Sequence, residues 1–380
     1  MNAVSRVLVI GGGPVGNALT VLLRRGGIEV DLVEKDPRWA TLGAGITLPH
    51  NALRVLNEVG VLDAVLEHGA PEPHTHGVPQ PGHDGSSPSF VSETPLVDCG
   101  LYRPKLQEIL IDAVRASGAD VRLGTTAVSL EQSGTPGAAW GDDVQVSFTD
   151  GTSSRYDLVV GADGMHSATR SMLGIDLQPT PMGIGAWRIY TRRPASVRGF
   201  KMYRSGPCHV AGIRPTSRDH LYAYLVEDAR IPDPPREDRV EVARELLAGY
   251  GEWQEWRDIR ESLTSPEQID CRRFSHLLVD RPWHRGRVVL IGDAAHSHPP
   301  TLTQGAAMGL EDASVLAELL TTHEHLDAGV LDAFTERRFG RVSAVVDASV
   351  RLADMNRGGA PDGEWTALWD QMMQLVAAPA

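Results

Sequence analysis

The stretch Arg6-Val7-Leu8-Val9-Ile10-Gly11-Gly12-Gly13-Pro14-Val15-Gly16 decides the fold of this 380-residue chain. Arg6–Ile10 is short, continuous and β-branched, the pattern of a buried parallel strand. The glycines follow at once. Val15, Leu19, Leu22 and Leu23 then mark one face of a helix that Gly26-Gly27 ends. Glu29–Glu34 reads as the next strand and ends in an acid about 20 residues past the glycines, the full βαβ context of a dinucleotide fingerprint. Gly11 makes the tight turn, Gly13 lets a pyrophosphate approach, and Gly16 lets helix and strand pack. Glu34 is placed to take the adenosine ribose hydroxyls. The fingerprint by itself does not separate NAD from FAD.

Two further strand ends carry acids beside small residues. Arg287-Val288-Val289-Leu290-Ile291 runs into Gly292-Asp293-Ala294-Ala295-His296, then Pro299-Pro300, then Gln304-Gly305-Ala306-Ala307-Met308-Gly309, which reads as a helix start. Small residues let backbone approach a ligand, and a helix N-terminus offers free N–H groups and partial positive charge. Asp157-Leu158-Val159-Val160 is a buried strand delivering Gly161-Ala162-Asp163-Gly164. A hydrolase reading of Asp293, His296 and Ser297 fails, because they are too close in sequence for an assembled triad and no nucleophile elbow is present.

Composition narrows the class. Hydrophobic content of 42% and charged content of 22% are those of a globular protein with a large core. A net charge of −13 excludes general nucleic-acid binding, which needs a basic face. Cys99, Cys208 and Cys271 are widely separated, without metal spacing, so a reduced, cytoplasmic setting is expected. The apolar run 7–10 stops at Gly11, too short for a signal peptide or a membrane span.

Between these motifs the chain alternates in character. Residues 43–48 lead into a helical stretch, 51–59. Residues 71–89, rich in Pro, Gly, His and Ser, read as a loop in which His74 and His76 are a solvated pair, and no metal site is expected. Tyr102-Arg103-Pro104 opens an amphipathic helix with Leu106, Ile109, Leu110 and Val114 on one face. Arg103 is either a cofactor contact or a surface salt bridge. Short strands follow at 121–123, 128–130 and Val144–Phe148, with a hairpin loop at 134–143. From about Thr180 alternating stretches such as 221–226 predict a half-exposed antiparallel sheet, with turn chemistry at 215–219. Residues 231–238 read as a loop and 239–250 as a short helix. The C-terminal stripe Trp365, Leu368, Trp369, Met372 and Val376 is expected to dock on the core, with a dimer interface as the alternative.

Three motifs in this order resemble the single-component FAD-dependent aromatic hydroxylases, the para-hydroxybenzoate hydroxylase-like family, over nearly the whole length. Residues 160–167 look like that family's "DG" motif and residues 292–296 like its second FAD motif. The resemblance implies an α/β fold: an FAD-binding Rossmann-like domain of glutathione-reductase type, a mostly antiparallel substrate sheet, and a C-terminal helical segment. Its implied bounds are 1–70, 98–178 and 281–330 for FAD, 71–97 and 179–280 for substrate, and 331–380 for the C-terminal segment. FAD contacts carry over to Gly11, Gly13, Pro14, Val15, Gly16, Glu34, Lys35, Arg103, Val128, Asp163, Gly292, Asp293, Pro300, Gly305 and Ala306, with Asp293 on the ribityl chain. Many members have Gly where Thr303 stands and Asn where Ala307 stands.

The implied activity is monooxygenation. FAD is tightly but not covalently held, NAD(P)H docks transiently to reduce it, and O2 forms a C4a-hydroperoxide that hydroxylates a small aromatic or N-heteroaromatic, phenol-like ring. The protein must stabilise charge on reduced flavin, exclude water, and favour an electron-rich form of the substrate. Pro300 offers its carbonyl; Tyr222 and Arg214, on the two strands of the expected hairpin, are the candidate substrate contacts, with His209 and Tyr203 as further candidates on the same sheet. The resemblance leaves three alternatives: a large polycyclic substrate such as an antibiotic, a flavin reductase or dehydrogenase, and a non-catalytic flavin-binding or NAD(P)-sensing protein. A monomer or homodimer is expected.

Overall fold

The computed structural model describes residues 2–41, 43–73, 97–132 and 143–380. The chain opens with β1 (Arg6–Ile10), α1 (Pro14–Arg25), β2 (Glu29–Glu34), β3 (Gly45–Leu48), α2 (His50–Val59), α3 (Leu62–His68) and β4 (Ala70–Pro73). Next come β5 (Val97–Tyr102), α4 (Arg103–Ser117), β6 (Asp120–Leu123), β7 (Ala127–Gln132), β8 (Val144–Phe148), β9 (Ser153–Tyr156), β10 (Leu158–Gly161) and α5 (Ala168–Met172). The second half holds β11 (Thr180–Arg192), β12 (Lys201–Tyr203), β13 (Val210–Pro215), β14 (His220–Asp228), α6 (Arg239–Ala248), α7 (Gln254–Ser262) and β15 (Ile269–Leu278). It closes with β16 (His284–Arg285), β17 (Val288–Leu290), β18 (His296–Ser297), α8 (Gly305–Thr322), α9 (Ala328–Gly358) and α10 (Asp362–Ala377).

The first sheet has the order β16-β17-β10-β1-β2-β6. Its four parallel pairings from β17 to β6 bring the three motif-bearing strands β1, β10 and β17 side by side. Their glycine and acid loops therefore leave the same edge of the sheet, which is why sequence-distant motifs meet. Val7, Leu8, Val9, Val159, Val160 and Val289 are buried, as strands covered on both faces must be. α1 packs on α8 closely enough that a methyl on Gly309 would come within 2.5 Å of Val15 Cγ2.

The second sheet, β12-β13-β14-β11-β15-β18, is antiparallel throughout. The alternation in β14 does not separate core from solvent. Leu221, Ala223 and Leu225 enter a core with Trp256 and Ile259 of α7, while Tyr222, Tyr224 and Val226 face an internal cavity. The expected half-exposed sheet thus has both faces covered. β18, the pair of residues just past the Gly292–Ala294 turn, hydrogen-bonds to β15, so the second sheet borrows a strand from the FAD-motif segment.

Other differences are local. β4 occupies Ala70–Pro73, of which sequence reading gave 71–73 to a loop, and α7 had no counterpart there. His74, His76 and nearly all of the 134–143 hairpin loop lie outside the described residues. The C-terminal stripe does dock, with Trp365, Leu368, Met372 and Val376 buried, but Trp365 and Trp369 also wall the cavity. Among the described residues no helix is long and apolar enough to cross a membrane.

Candidate active site

The glycine loop is shaped by what it touches. Gly11 has φ +109°, and a Cβ there would strike the Ala162 carbonyl oxygen at 2.4 Å. A Cβ on Gly16 would sit 2.0 Å from the Gly11 oxygen, so helix and loop close only over a hydrogen. Gly13 differs: nothing lies within 4 Å of its Cβ position, and it lines the cavity with Pro14 and Val15 at the N-terminus of α1. Glu34 accepts the Gly12 N–H at 2.8 Å and the Asp36 N–H at 2.8 Å, which holds its carboxylate beside the loop. Trp39 Nε1 and Gln107 Nε2 both donate to the Gly12 oxygen, at 2.9 and 2.6 Å; neither was visible as a loop support in the sequence. The Lys35 side chain is exposed, and Val128, 53% exposed, sits at a register shift in β7.

The two acids differ in employment. Asp163 accepts Ser167 Oγ at 2.5 Å, Thr169 N–H at 2.9 Å and Thr169 Oγ1 at 3.0 Å. Its carboxylate organises its own turn, so any part it plays toward a cofactor is through the loop backbone. Arg170, unnoticed in the sequence, ties that turn to the next motif by donating to the Ala294 oxygen at 3.0 Å. Asp293 makes no side-chain hydrogen bond among the described residues; it lines the cleft, surrounded by protein yet with its own surface open to the cavity. Burial pushes its carboxyl above the usual range, while His296 and Arg103 pull the other way.

Beneath Asp293 lies a buried ionic network. Asp312 accepts from His296 Nε2 at 2.6 Å, the Gly292 N–H at 2.9 Å and Arg338 Nε at 2.8 Å. Arg338 also pairs with Glu311 at 2.8 Å, and Glu311 with Arg341 at 3.0 Å. Burial alone would raise the Asp312 carboxyl, but His296, Arg338 and these hydrogen bonds outweigh it and hold the group below the usual range. The network pins the Gly292 turn to α8 and α9.

One cavity of about 430 Å³ joins both halves. One wall holds Gly13, Gly45, Arg103, Asp293, Pro300 and Gly305. The opposite wall is the sheet face, with Tyr222, Tyr224, Arg188, Ala186, Val226 and Phe274. Ala353 and Asn356 of α9 and Trp365 and Trp369 of α10 close the side. Gly305 has open space at its Cβ position, and Thr303, also lining, holds φ +56°, a left-handed conformation rare for a β-branched residue.

Arg103 faces the cavity and forms no ion pair among the described residues, which disposes of the surface salt bridge. Burial lowers its affinity for a proton, as does nearby Arg188, with Asp293 opposing, but a guanidinium stays charged. Tyr222 lies against β3, where a Cβ on Gly45 would meet its Cβ at 2.4 Å. Burial pushes its hydroxyl up, with Arg188 and Arg103 opposing and Asp270 adding, so it is protonated at neutral pH.

Two candidates lie off the cavity, and a third lines it far from Tyr222. Arg214 is the cross-strand partner of Tyr222, but its guanidinium turns to Glu72 at 3.6 Å and the Phe200 ring at 5.5 Å, off the cavity. Tyr203 points behind the sheet, donating to Glu255 at 2.8 Å among Trp253 and Trp256. His209 lines the cavity but bonds Asp228 at 3.2 Å, six residues along β14 from Tyr222. At about 3.3 Å per residue that is roughly 20 Å of strand, so the two cannot hold one ring. Arg188 was missed, although an arginine in the alternation of β11 was a usable signal.

A family model described as an FAD binding domain matches residues 4–349. The chain belongs to the FAD-dependent monooxygenases of the aromatic-hydroxylase group. The putative FAD-dependent monooxygenase YetM of Bacillus subtilis (strain 168) is 31% identical to this hydroxylase, over 94% of this chain and 95% of its own. The 3-amino-4-hydroxybenzoate 2-monooxygenase of Streptomyces cremeus is 29% identical over 98% of this chain and 93% of its own. Among solved structures, the tetrameric form of 2-methyl-3-hydroxypyridine-5-carboxylic acid oxygenase superposes with TM-score 0.74 at 26% identity, over 94% of this chain and 93% of that one. The residues of this hydroxylase fit FAD: an unblocked glycine at the start of α1, an unpartnered acid at the end of β17, and an open glycine at the start of α8.

Proposed function

We propose that the protein uses NAD(P)H and O2 to hydroxylate a small aromatic or N-heteroaromatic, phenol-like ring held between Pro300 and the Tyr222–Arg188 face of the sheet. The observation that carries this reading is that Asp293 and Gly305, on the cofactor wall, share one cavity with Tyr222 and Arg188. When bound, FAD would supply the redox chemistry, in which NAD(P)H, a proton and O2 leave one oxygen atom on the ring and the other in water.

This chain's residues do the rest. The N-terminus of α1 at Gly13 and Pro14 takes the pyrophosphate, and Asp293 accepts the ribityl hydroxyls. Arg103 and the N-terminus of α8 at Gly305 and Ala306 offset negative charge on the reduced ring system. The protonated Tyr222 hydroxyl donates to the substrate oxygen, Arg188 favours its phenolate form, and the Pro300 carbonyl accepts from a ring N–H or O–H. Trp365 and Trp369 keep bulk water out. Dependence on a pyridine nucleotide suits the cytoplasm, and the chain works as a monomer or homodimer.

The test is a substrate screen on the FAD-loaded protein. Anaerobic FAD reduction by NADH or NADPH is followed with each aromatic compound present, then product is analysed after isotope-labelled O2 is admitted. The expected result is faster reduction by a subset of phenol-like rings and label in their products. NAD(P)H consumed with label only in H2O2 or water, across the whole panel, overturns the reading.

A further inference from the structure

Polar and apolar linings of the cavity are segregated along the second sheet. Arg188 on β11, Tyr222 on β14 and Arg103 from the opposite wall gather toward one end. From there β11 presents Ala186 and then Ile184, and β14 presents Val226, in register with Ala186. Four residues of strand, from Arg188 to Ile184, span about 13 Å. Phe274 of β15 and Ala353 of α9 pack with Ala186 and Ile184 into one apolar cluster.

The cover over this half is a pair of stacked indoles. Trp365 and Trp369 of α10 stack at 5.0 Å with 17° between their planes. Arg204 lies over the Trp365 ring at 5.0 Å and donates to Asn356 Oδ1 at 2.9 Å, which fixes α10 to α9 and β12. Cationic recognition is missing here: besides the indole N–H groups of Trp365 and Trp369, the lining polar groups at this end, among the described residues, are Asn356 and His209, and His209 is paired with Asp228. Arg188 and Arg103 line the other end, and Arg214, opposite Tyr222 there, is turned to Glu72, so a ring carboxylate pointed along Ala186 and Val226 meets no lining guanidinium.

We propose that the acceptor ring carries an apolar substituent, an alkyl chain or a second ring, which extends from the Arg188–Tyr222 end along Ala186 and Val226 beneath Trp365 and Trp369. The proposal deepens the hydroxylase reading and rests on it for the position of the ring. Aromatic planes and small aliphatic residues give such a group buried apolar contact, and each methylene removed from water tightens binding about fourfold.

The experiment measures dissociation constants of para-alkylphenols, methyl through octyl, for the FAD-loaded protein by perturbation of the flavin absorbance. Affinity is expected to rise about fourfold per methylene until the arm is full, at least a hundredfold across the series. In Trp369→Ala and Trp365→Ala, checked for FAD content, the octyl-to-methyl affinity ratio is expected to drop at least tenfold. A wild-type series that stays flat within threefold overturns the proposal, as does a steep series indifferent to both variants. Because the readout is binding, a steep series without hydroxylated product overturns only the hydroxylase reading, and hydroxylation with a flat series overturns only the substituent.

Discussion

Replacing Asp312 by Asn tests whether the buried network holds the Asp293 turn in place. The exchange keeps size and removes one charge. Asp312 accepts three hydrogen bonds, from Gly292 N–H, His296 and Arg338, and both it and Arg338 are fully buried. An amide has one acceptor oxygen, so at least one of these donors must face an NH2 group. Removing one member of a buried ion pair costs about 3–5 kcal/mol, chiefly because the remaining charge stays dry and unpaired. Arg338 keeps Glu311, which argues for the lower figure, about 3 kcal/mol. Urea unfolding of wild-type and variant protein, followed by tryptophan fluorescence, reads the loss. FAD titration reads the second consequence: affinity falls at least tenfold as the Gly292 turn relaxes. Ser314→Ala, which deletes an exposed hydroxyl bond to Glu58, is the control and should cost under about 0.5 kcal/mol. An Asp312→Asn protein within 1 kcal/mol of wild type, with unchanged FAD affinity, would refute the account.

Glycine substitutions should separate fold from cofactor. Gly16→Ala collides with the Gly11 oxygen and is expected to lower the urea midpoint, whereas Gly13→Ala meets nothing, keeps the apoprotein midpoint and weakens FAD binding at least tenfold by titration. Thr303→Gly removes a left-handed β-branched residue and should stabilise by up to about 1 kcal/mol, while Thr303→Val keeps the backbone cost and gains nothing in the same unfolding assay. His298 is pushed down to about 4 by burial, helped by His296 and opposed by its bond to the Pro299 oxygen. An unfolded imidazole near 6.5 takes the proton first, so the stability is complete above about pH 6.5 and is lost as pH falls through about 4. Apoprotein urea midpoints at several pH values in that window should fall, and in His298→Gln they should fall less.

What the sequence disclosed and what it concealed have physical reasons. The glycine turn, Glu34 and the strand-end Asp293 were legible because each is dictated by local backbone geometry at a strand end. Arg188 was concealed because period-two alternation assigns faces without saying which face meets a cavity. Tyr203 and Met202 differ by one residue, and parity sends Met202 into the cavity row opposite Gly212 and Tyr203 behind it. Arg214 is paired with Tyr222 across two strands, as a hairpin around residues 215–219 allows, but its direction is set by Glu72 from a segment far away in sequence. Trp365 and Trp369 follow the same helical spacing whether a helix covers packed core or empty space, so their part in the cavity wall needed the tertiary arrangement.

The exchange of β18 into the second sheet constrains how the enzyme breathes. Leu277 and Leu278 are laddered to Ser297 and His296, and the Val279 N–H continues the seam onto the Ala295 oxygen at 2.8 Å. Swinging the two layers apart like a clamshell would tear this stitch and drag the Asp293 turn with it. Entry of a ring and exit of its product must therefore use a smaller door than the junction between layers, one that leaves the seam closed through the whole turnover cycle.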